Sequence, residues 1–195
     1  MRSLFMMAIG LALAGGMLSA QEAAQPPALG YKDSYQLDYL DILGNINLTN
    51  GGAHANLQSP PASSDICVHA YVFQPITGSP DGPLGATLAS CCSCRVPANA
   101  VKTIPLVLSG PVVVKLVSTL PSRLATPCDP TVAPLPGLGT PGGYAAGMRA
   151  WSVSQPTVLS PQLSTSKFDK APLGDAEQAK LSQLCSASTT KCTCQ

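Results

Sequence analysis

The chain has 195 residues, with 11 Lys or Arg against 10 Asp or Glu, and only 11% of it is charged. A near-neutral chain so poor in charge lacks the basic stripe that holds nucleic acid or an anionic lipid surface. Its 8 cysteines, 19 prolines and 17 glycines suit a loop-rich, all-β protein of an oxidising compartment better than a cytosolic helical domain.

Residues 1–20 read MRSLFMMAIGLALAGGMLSA. Arg2 precedes an apolar run from Leu4 to Leu13, and small residues close the segment. This is the pattern of an export signal, with cleavage expected after Ala20. The run is too short and too rich in glycine to span a bilayer comfortably. Residues 21–40, opening QEAAQPPALG, are expected to form a mobile N-terminal segment.

Residues 41–155 are expected to form the domain proper. Ile46 and Leu48 alternate with Asn47 and Thr49, as on a half-buried strand, and the Asn50-Gly51-Gly52 sequence turns the chain. The stretch DICVHAYVFQP is the clearest strand. Ile66, Val68, Ala70 and Val72 line one face, and Cys67, His69, Tyr71 and Phe73 the other. Both faces are largely apolar, which predicts a central strand. LGATLASCCSC is a further strand candidate. VKTIPLVL and VVVKLVSTL, joined by Ser109-Gly110-Pro111, read as an antiparallel hairpin. Segments 68–73, 103–108 and 112–119 are therefore expected to share one sheet. Residues 121–147, rich in proline and glycine, read as a long irregular loop. MRAWSVS supplies the last expected strand, with Met148, Ala150 and Ser152 opposite Arg149, Trp151 and Val153.

Residues 156–195 are expected to hold a helix and a cysteine-rich tail docked on the domain. Asp175 as N-cap and Gln178 three residues on suggest a capping box, with a helix over 175–186 whose inner face carries Leu181, Leu184 and Cys185. Short strands with one terminal helix predict an all-β fold, an antiparallel β-sandwich with one short C-terminal helix, stapled by disulfides.

The eight cysteines are Cys67, Cys91, Cys92, Cys94, Cys128, Cys185, Cys192 and Cys194. An even number in an exported chain favours disulfides. Within CCSC, an extended backbone sends Cys92 and Cys94 to one face and Cys91 to the other. Adjacent cysteines bond poorly to each other, so three separate partners are expected. At least one should lie in the tail, which has little apolar surface to hold it down, and Cys67 is a candidate for a second. A thiolate metal site is the alternative. No second matched C-x-x-C pair supports it, and neither metal nor cofactor is expected.

Plant lipid-transfer proteins and fungal hydrophobins also carry eight cysteines, but their cysteine orders differ from this one. The ordered blocks INLTNGGA, ICVHAYVF, CCSCRVPANA and LSQLC…CTCQ resemble those of a group of uncharacterised exported bacterial proteins. The resemblance implies export and no particular activity.

Nothing in the chain marks a catalytic centre. His54 lies in a polar stretch and His69 in mid-strand, no G-x-S-x-G surrounds a serine, and no two of Asp38, Asp41, Asp65, Asp81, Asp129 and Asp169 are singled out as a pair. The expectation is a secreted, non-enzymatic structural or interaction module of the bacterial envelope or extracellular space. Its expected partner is another extracellular or envelope protein rather than nucleic acid, and the mature chain has no transmembrane span. A motif-free enzyme and a metal-binding protein are the alternatives.

Overall fold

The computed structural model describes residues 33–40, 44–52, 65–75, 85–106, 110–122, 128–138, 142–154 and 163–195. The expected export signal and residues 21–32 lie outside these, as do Asp41, His54 and Asp81. In chain order the elements are β1 (Tyr35–Leu40), β2 (Gly44–Asn50), β3 (Ile66–Pro75), β4 (Ala86–Val96), β5 (Val101–Leu106), β6 (Val112–Thr119), β7 (Leu135–Leu138), β8 (Gly143–Tyr144), β9 (Met148–Ser154), β10 (Ser164–Lys167), β11 (Asp169–Lys170) and α1 (Asp175–Ala187).

Strands that are apolar on both faces end up in the middle. β3 lies between β6 and β4, and β6 between β1 and β3, in a larger sheet ordered β11-β1-β6-β3-β4 with β7 and β8 at its margin. Strands with one apolar face form a smaller sheet, ordered β10-β9-β2-β5. Pairing is antiparallel throughout except between β7 and β8. The two inner faces meet in one core. Ile46, Leu48, Ile104 and Met148 pack from the smaller sheet, and Ile66, Val68, Val114 and Leu116 from the larger. The fold is the expected disulfide-stapled antiparallel β-sandwich. A second apolar cluster, with Tyr35, Tyr71, Cys91, Val117, Leu181 and Cys185, joins the outer face of the larger sheet to α1. A bulge in β4 serves that cluster. Val72 pairs with Ser90 but Phe73 with Leu88, so the extra residue, Ala89, turns Leu88 outward beside Phe73.

Several expectations need correction. β5 and β6 are not a hairpin: β5 pairs with β2 in the smaller sheet, and β6 with β1 and β3 in the larger. Pro105 gives the physical reason, because it has no N–H and belongs on an edge, which β5 is. β6 has two apolar faces and needs neighbours on both sides. Segment 103–108 therefore does not share a sheet with 68–73 and 112–119. Residues 35–40, at the end of the segment expected to be mobile, form β1. The proline-rich stretch contains β7 and β8, and β9 is followed by β10 and β11 within 156–195. The N-cap of α1 is Gly174, with no side-chain cap. Gln178 turns inward instead, donating from Nε2 to Ser182 Oγ at 3.2 Å. Asp175 and Glu177 stand in the first turn, where negative charge favours the helix dipole.

Both flanks of the sandwich are laced shut. On one, β10 leads directly into β11 through buried Phe168, carrying the chain from the smaller sheet to the larger. On the other, the 97–100 turn, with Asn99 at φ 58°, carries β4 into β5. The C-terminal tail covers the edges that remain there. Cys91 N donates to Thr190 O and Cys192 N donates to Cys91 O along β4. Three residues on, Gln195 and Thr103 exchange both backbone hydrogen bonds at β5. One strand-like tail thus occupies edge groups of both sheets, which blunts them against pairing with other chains.

Gly44 is the tightest point of the smaller sheet. A Cβ there would lie 2.7 Å from Val153 O. Gly44→Ala is expected to push β9 from β2 and cost about 1–3 kcal/mol, read as a lowered urea midpoint. An unchanged midpoint would show that the strands part freely here.

Candidate functional site

Three places on the sandwich concentrate chemistry. The first is the cysteine clasp. CCSC lies at the end of β4, with Cys91 on the outer face and Cys92 and Cys94 in the core. All eight cysteines are bonded, as Cys67–Cys128, Cys91–Cys185, Cys92–Cys192 and Cys94–Cys194. The three partners of CCSC are separate, as expected, and all three lie in α1 or the tail. Cys67 is not among them. It sits opposite Arg95, while Cys91 sits opposite Tyr71. Four strand residues put the two rows about 13 Å apart, beyond the reach of a disulfide.

The pairing has a register. Cys91 and Lys191 form a parallel bridge, so Cys92 and Cys94 face Cys192 and Cys194 at the same separation of 100 residues. The Sγ atoms of Cys92, Cys94 and Cys194 lie within 4.8 Å of one another, the one such convergence of metal-ligating side chains among the described residues. Their sulfurs are engaged in disulfides, which lack the thiolate charge that zinc requires. Lys191 Nζ closes the clasp, donating to Cys185 O at 2.8 Å and standing 3.3 Å from Cys91 Sγ.

The second place is a group of buried polar side chains on the outer face of the larger sheet, beside the turn at Asp129 and α1. His69 is 3% exposed, and its Nε2 is hydrogen-bonded to Thr119 Oγ1 at 2.8 Å. Burial lowers its pKa to about 4, against a smaller upward pull from Asp129. Tyr71 donates to Pro130 O at 3.0 Å, and burial raises its pKa. The carboxyl of Asp129 is held low, chiefly by the Thr131 hydroxyl, which donates to it at 2.7 Å. His69 Nδ1, Ser93 Oγ and Gln178 Oε1 have no hydrogen-bond partner among the described residues. A histidine near a carboxylate is present, and it lies in the interior. The other aspartates stand apart: Asp65 pairs with Arg95 at 2.7 Å, Asp38 accepts from Ser152 Oγ at 3.5 Å, and Asp169 is exposed on β11.

The third place did not stand out in the sequence. The outer face of the smaller sheet carries a groove of about 560 Å³ lined by Thr49, Arg149, Trp151, Thr165 and Lys167, among others. Trp151 is the only tryptophan of the chain and is half-buried. Lys167 lies directly across from it on β10, and Asn47 on β2. Thr103 continues the row on β5, donating from Oγ1 to Asn47 Oδ1 at 3.0 Å. Arg149 and Lys167 are exposed and take part in no ion pair among the described residues. No acidic residue occupies the outward-facing positions of β2, β5, β9 or β10. The sequence signal was the alternation of MRAWSVS, which sets Arg149 and Trp151 on the face away from the core.

No protein-family model, curated protein or solved structure matches the chain.

Proposed function

We infer that this chain is a non-enzymatic binding module of an oxidising extracellular or envelope compartment, exported with loss of residues 1–20, and that it works through the outer face of its smaller sheet. One observation carries the reading: of the two outer sheet faces, that of the larger is occupied by α1, while that of the smaller is covered by no element among the described residues and holds the groove at Trp151. The clasp supports the compartment, because disulfides persist where thiols are not kept reduced. No helix among the described residues is long and apolar enough to cross a membrane. The leader and the block resemblance support export, and a bacterial source with an envelope or extracellular partner is part of this reading.

The test is fractionation of the producing cells. The wild-type chain is expected outside the cytoplasm, beginning after Ala20, fully oxidised and retained on envelope or matrix material. The variant Arg149→Ala/Trp151→Ala/Lys167→Ala is expected to fold and to be released. Reduced chain in the cytoplasm, or equal release of both proteins, would overturn the reading.

A further inference from the structure

We propose that the groove at Trp151 binds an acidic polysaccharide, a chain of sugar rings bearing carboxylates, with one ring stacked on the indole. The proposal rests on the binding-module reading above and adds the chemistry of the ligand. Three features of the groove converge on it.

The first is the aromatic platform. Trp151 is set in mid-strand between two neighbouring strands, so its ring is held on a rigid sheet rather than on a loop. A half-buried indole set in a sheet offers a planar apolar ring, which suits the C–H face of a pyranose. The second is a one-sided hydrogen-bonding character. Asn47 lies between Thr103 and Trp151 in its row. Its Oδ1 accepts the Thr103 hydroxyl, which leaves the amide NH₂ as a donor. The Thr49 hydroxyl donates to Ala100 O at 2.9 Å and keeps its acceptor lone pairs, and the Thr165 hydroxyl can donate or accept. The nitrogen groups at the groove are all donors: the amide of Asn47, the guanidinium of Arg149 and the ammonium of Lys167. A ligand rich in acceptors fits such a surface.

The third feature is charge. Arg149 lies two residues from Trp151 along β9 and Lys167 directly across from it on β10, and no carboxylate shares the outward-facing positions of these strands. Guanidinium matches carboxylate geometry in a bidentate way, which favours a uronate over a neutral sugar. A nucleic acid would also stack on the indole and meet these cations. Backbone binding of that kind draws on roughly 6–10 phosphate contacts, and this face has two cations among its outward positions. The acidic polysaccharide is the better fit.

Trp151 is also the reporter, since the fluorescence of a single tryptophan comes from this site alone. The wild-type chain is titrated with polygalacturonate oligomers, with neutral dextran oligomers of equal length, and with single-stranded DNA. A saturable shift in Trp151 emission is expected with the uronate, weakened in about 0.5 M salt, where exposed charges are screened. Arg149→Ala and Lys167→Ala are each expected to weaken it roughly three- to tenfold with no change in thermal midpoint. Asn47→Ala is expected to weaken it with less effect of salt. Both cations are exposed, so their replacement leaves the fold in place even if Trp151→Ala does not. No emission change up to about 10 mM uronate, equal binding of dextran, tighter binding of DNA, or indifference to both charge variants would overturn the ligand class. If cells still retain the wild-type chain through Arg149, Trp151 and Lys167 in the fractionation above, the module reading survives that loss. If retention fails as well, both fall.

Discussion

Replacing Cys67 and Cys128 together by alanine is expected to cost about 4 kcal/mol, whereas replacing Cys92 and Cys192 together is expected to cost about 2 kcal/mol. The order is the reverse of what sequence separation alone suggests, since the two bridges span 61 and 100 residues. The reason lies in how the loops nest. Cys91–Cys185, Cys92–Cys192 and Cys94–Cys194 join nearly the same two points of the chain. With Cys91–Cys185 and Cys94–Cys194 in place, Cys92–Cys192 closes a residual ring of roughly six residues, and loop-closure entropy grows only with the logarithm of length. No other bridge shortens the loop of Cys67–Cys128 in this way. The two pairs are matched in burial, each with one buried and one half-buried cysteine, so lost packing contributes similarly to both. Urea midpoints of the two double variants under non-reducing conditions make the comparison. A larger loss from Cys92/Cys192 would mean that the clasp acts through strain or packing rather than loop closure. Removing all three clasp bridges is expected to cost about 9 kcal/mol, comparable to the whole stability of a typical domain.

The clasp shows what was legible in the sequence and what was not. Expected export, an even count and the facing of CCSC on a strand point to three separate partners without structure. The partners themselves were also written there: Cys92-Ser93-Cys94 and Cys192-Thr193-Cys194 share i, i+2 spacing at a constant offset, as two strands in parallel register require. That signal went unread because a five-residue tail with no apolar residue beyond its cysteines does not look like a strand. β1 was missed for a related reason. Its inward positions include Gln36 and Asp38, and Gln36 is buried only because its Nε2 donates to Met148 O at 2.7 Å. A strand whose core face is polar gives no alternation to detect. The strands of the middle were legible because apolar alternation decides burial. The sheet each joined was not, because the choice between hairpin and crossover depends on which edges are free, and only Pro105 hinted at that. The groove was half-legible. Arg149 and Trp151 could be placed outward from the pattern of β9, but Lys167 and Asn47 reach them only through pairing across β10 and β2.

Burial of His69 should make the fold acid-sensitive. In the unfolded chain His69 titrates near 6.5, and in the fold burial lowers its pKa to about 4. Between those values the unfolded chain binds a proton that the folded chain refuses, so stability rises with pH across this window and is lost as pH falls through it. The contribution is whole above pH 6.5, declines by about 1.4 kcal/mol per pH unit below it, and is spent near pH 4, a loss of about 3 kcal/mol. The structural cause is specific. Protonation places an N–H on both ring nitrogens; Nε2 has Thr119 beside it, but Nδ1 has no acceptor among the described residues. Asp129 opposes the shift, yet its attraction is smaller than the cost of burial. Its own carboxyl, held below the usual range, releases its stabilisation only at lower pH. Urea unfolding of the wild-type chain at pH 7 and pH 4.5 is expected to show this loss. His69→Gln removes the titrating ring while keeping a polar group near Thr119. It is expected to be less stable at pH 7 but to have a much flatter pH profile between 6.5 and 4.5, with His54 common to both proteins. Parallel profiles for the two proteins would place the acid sensitivity elsewhere and leave His69 as a packed residue without a role in it.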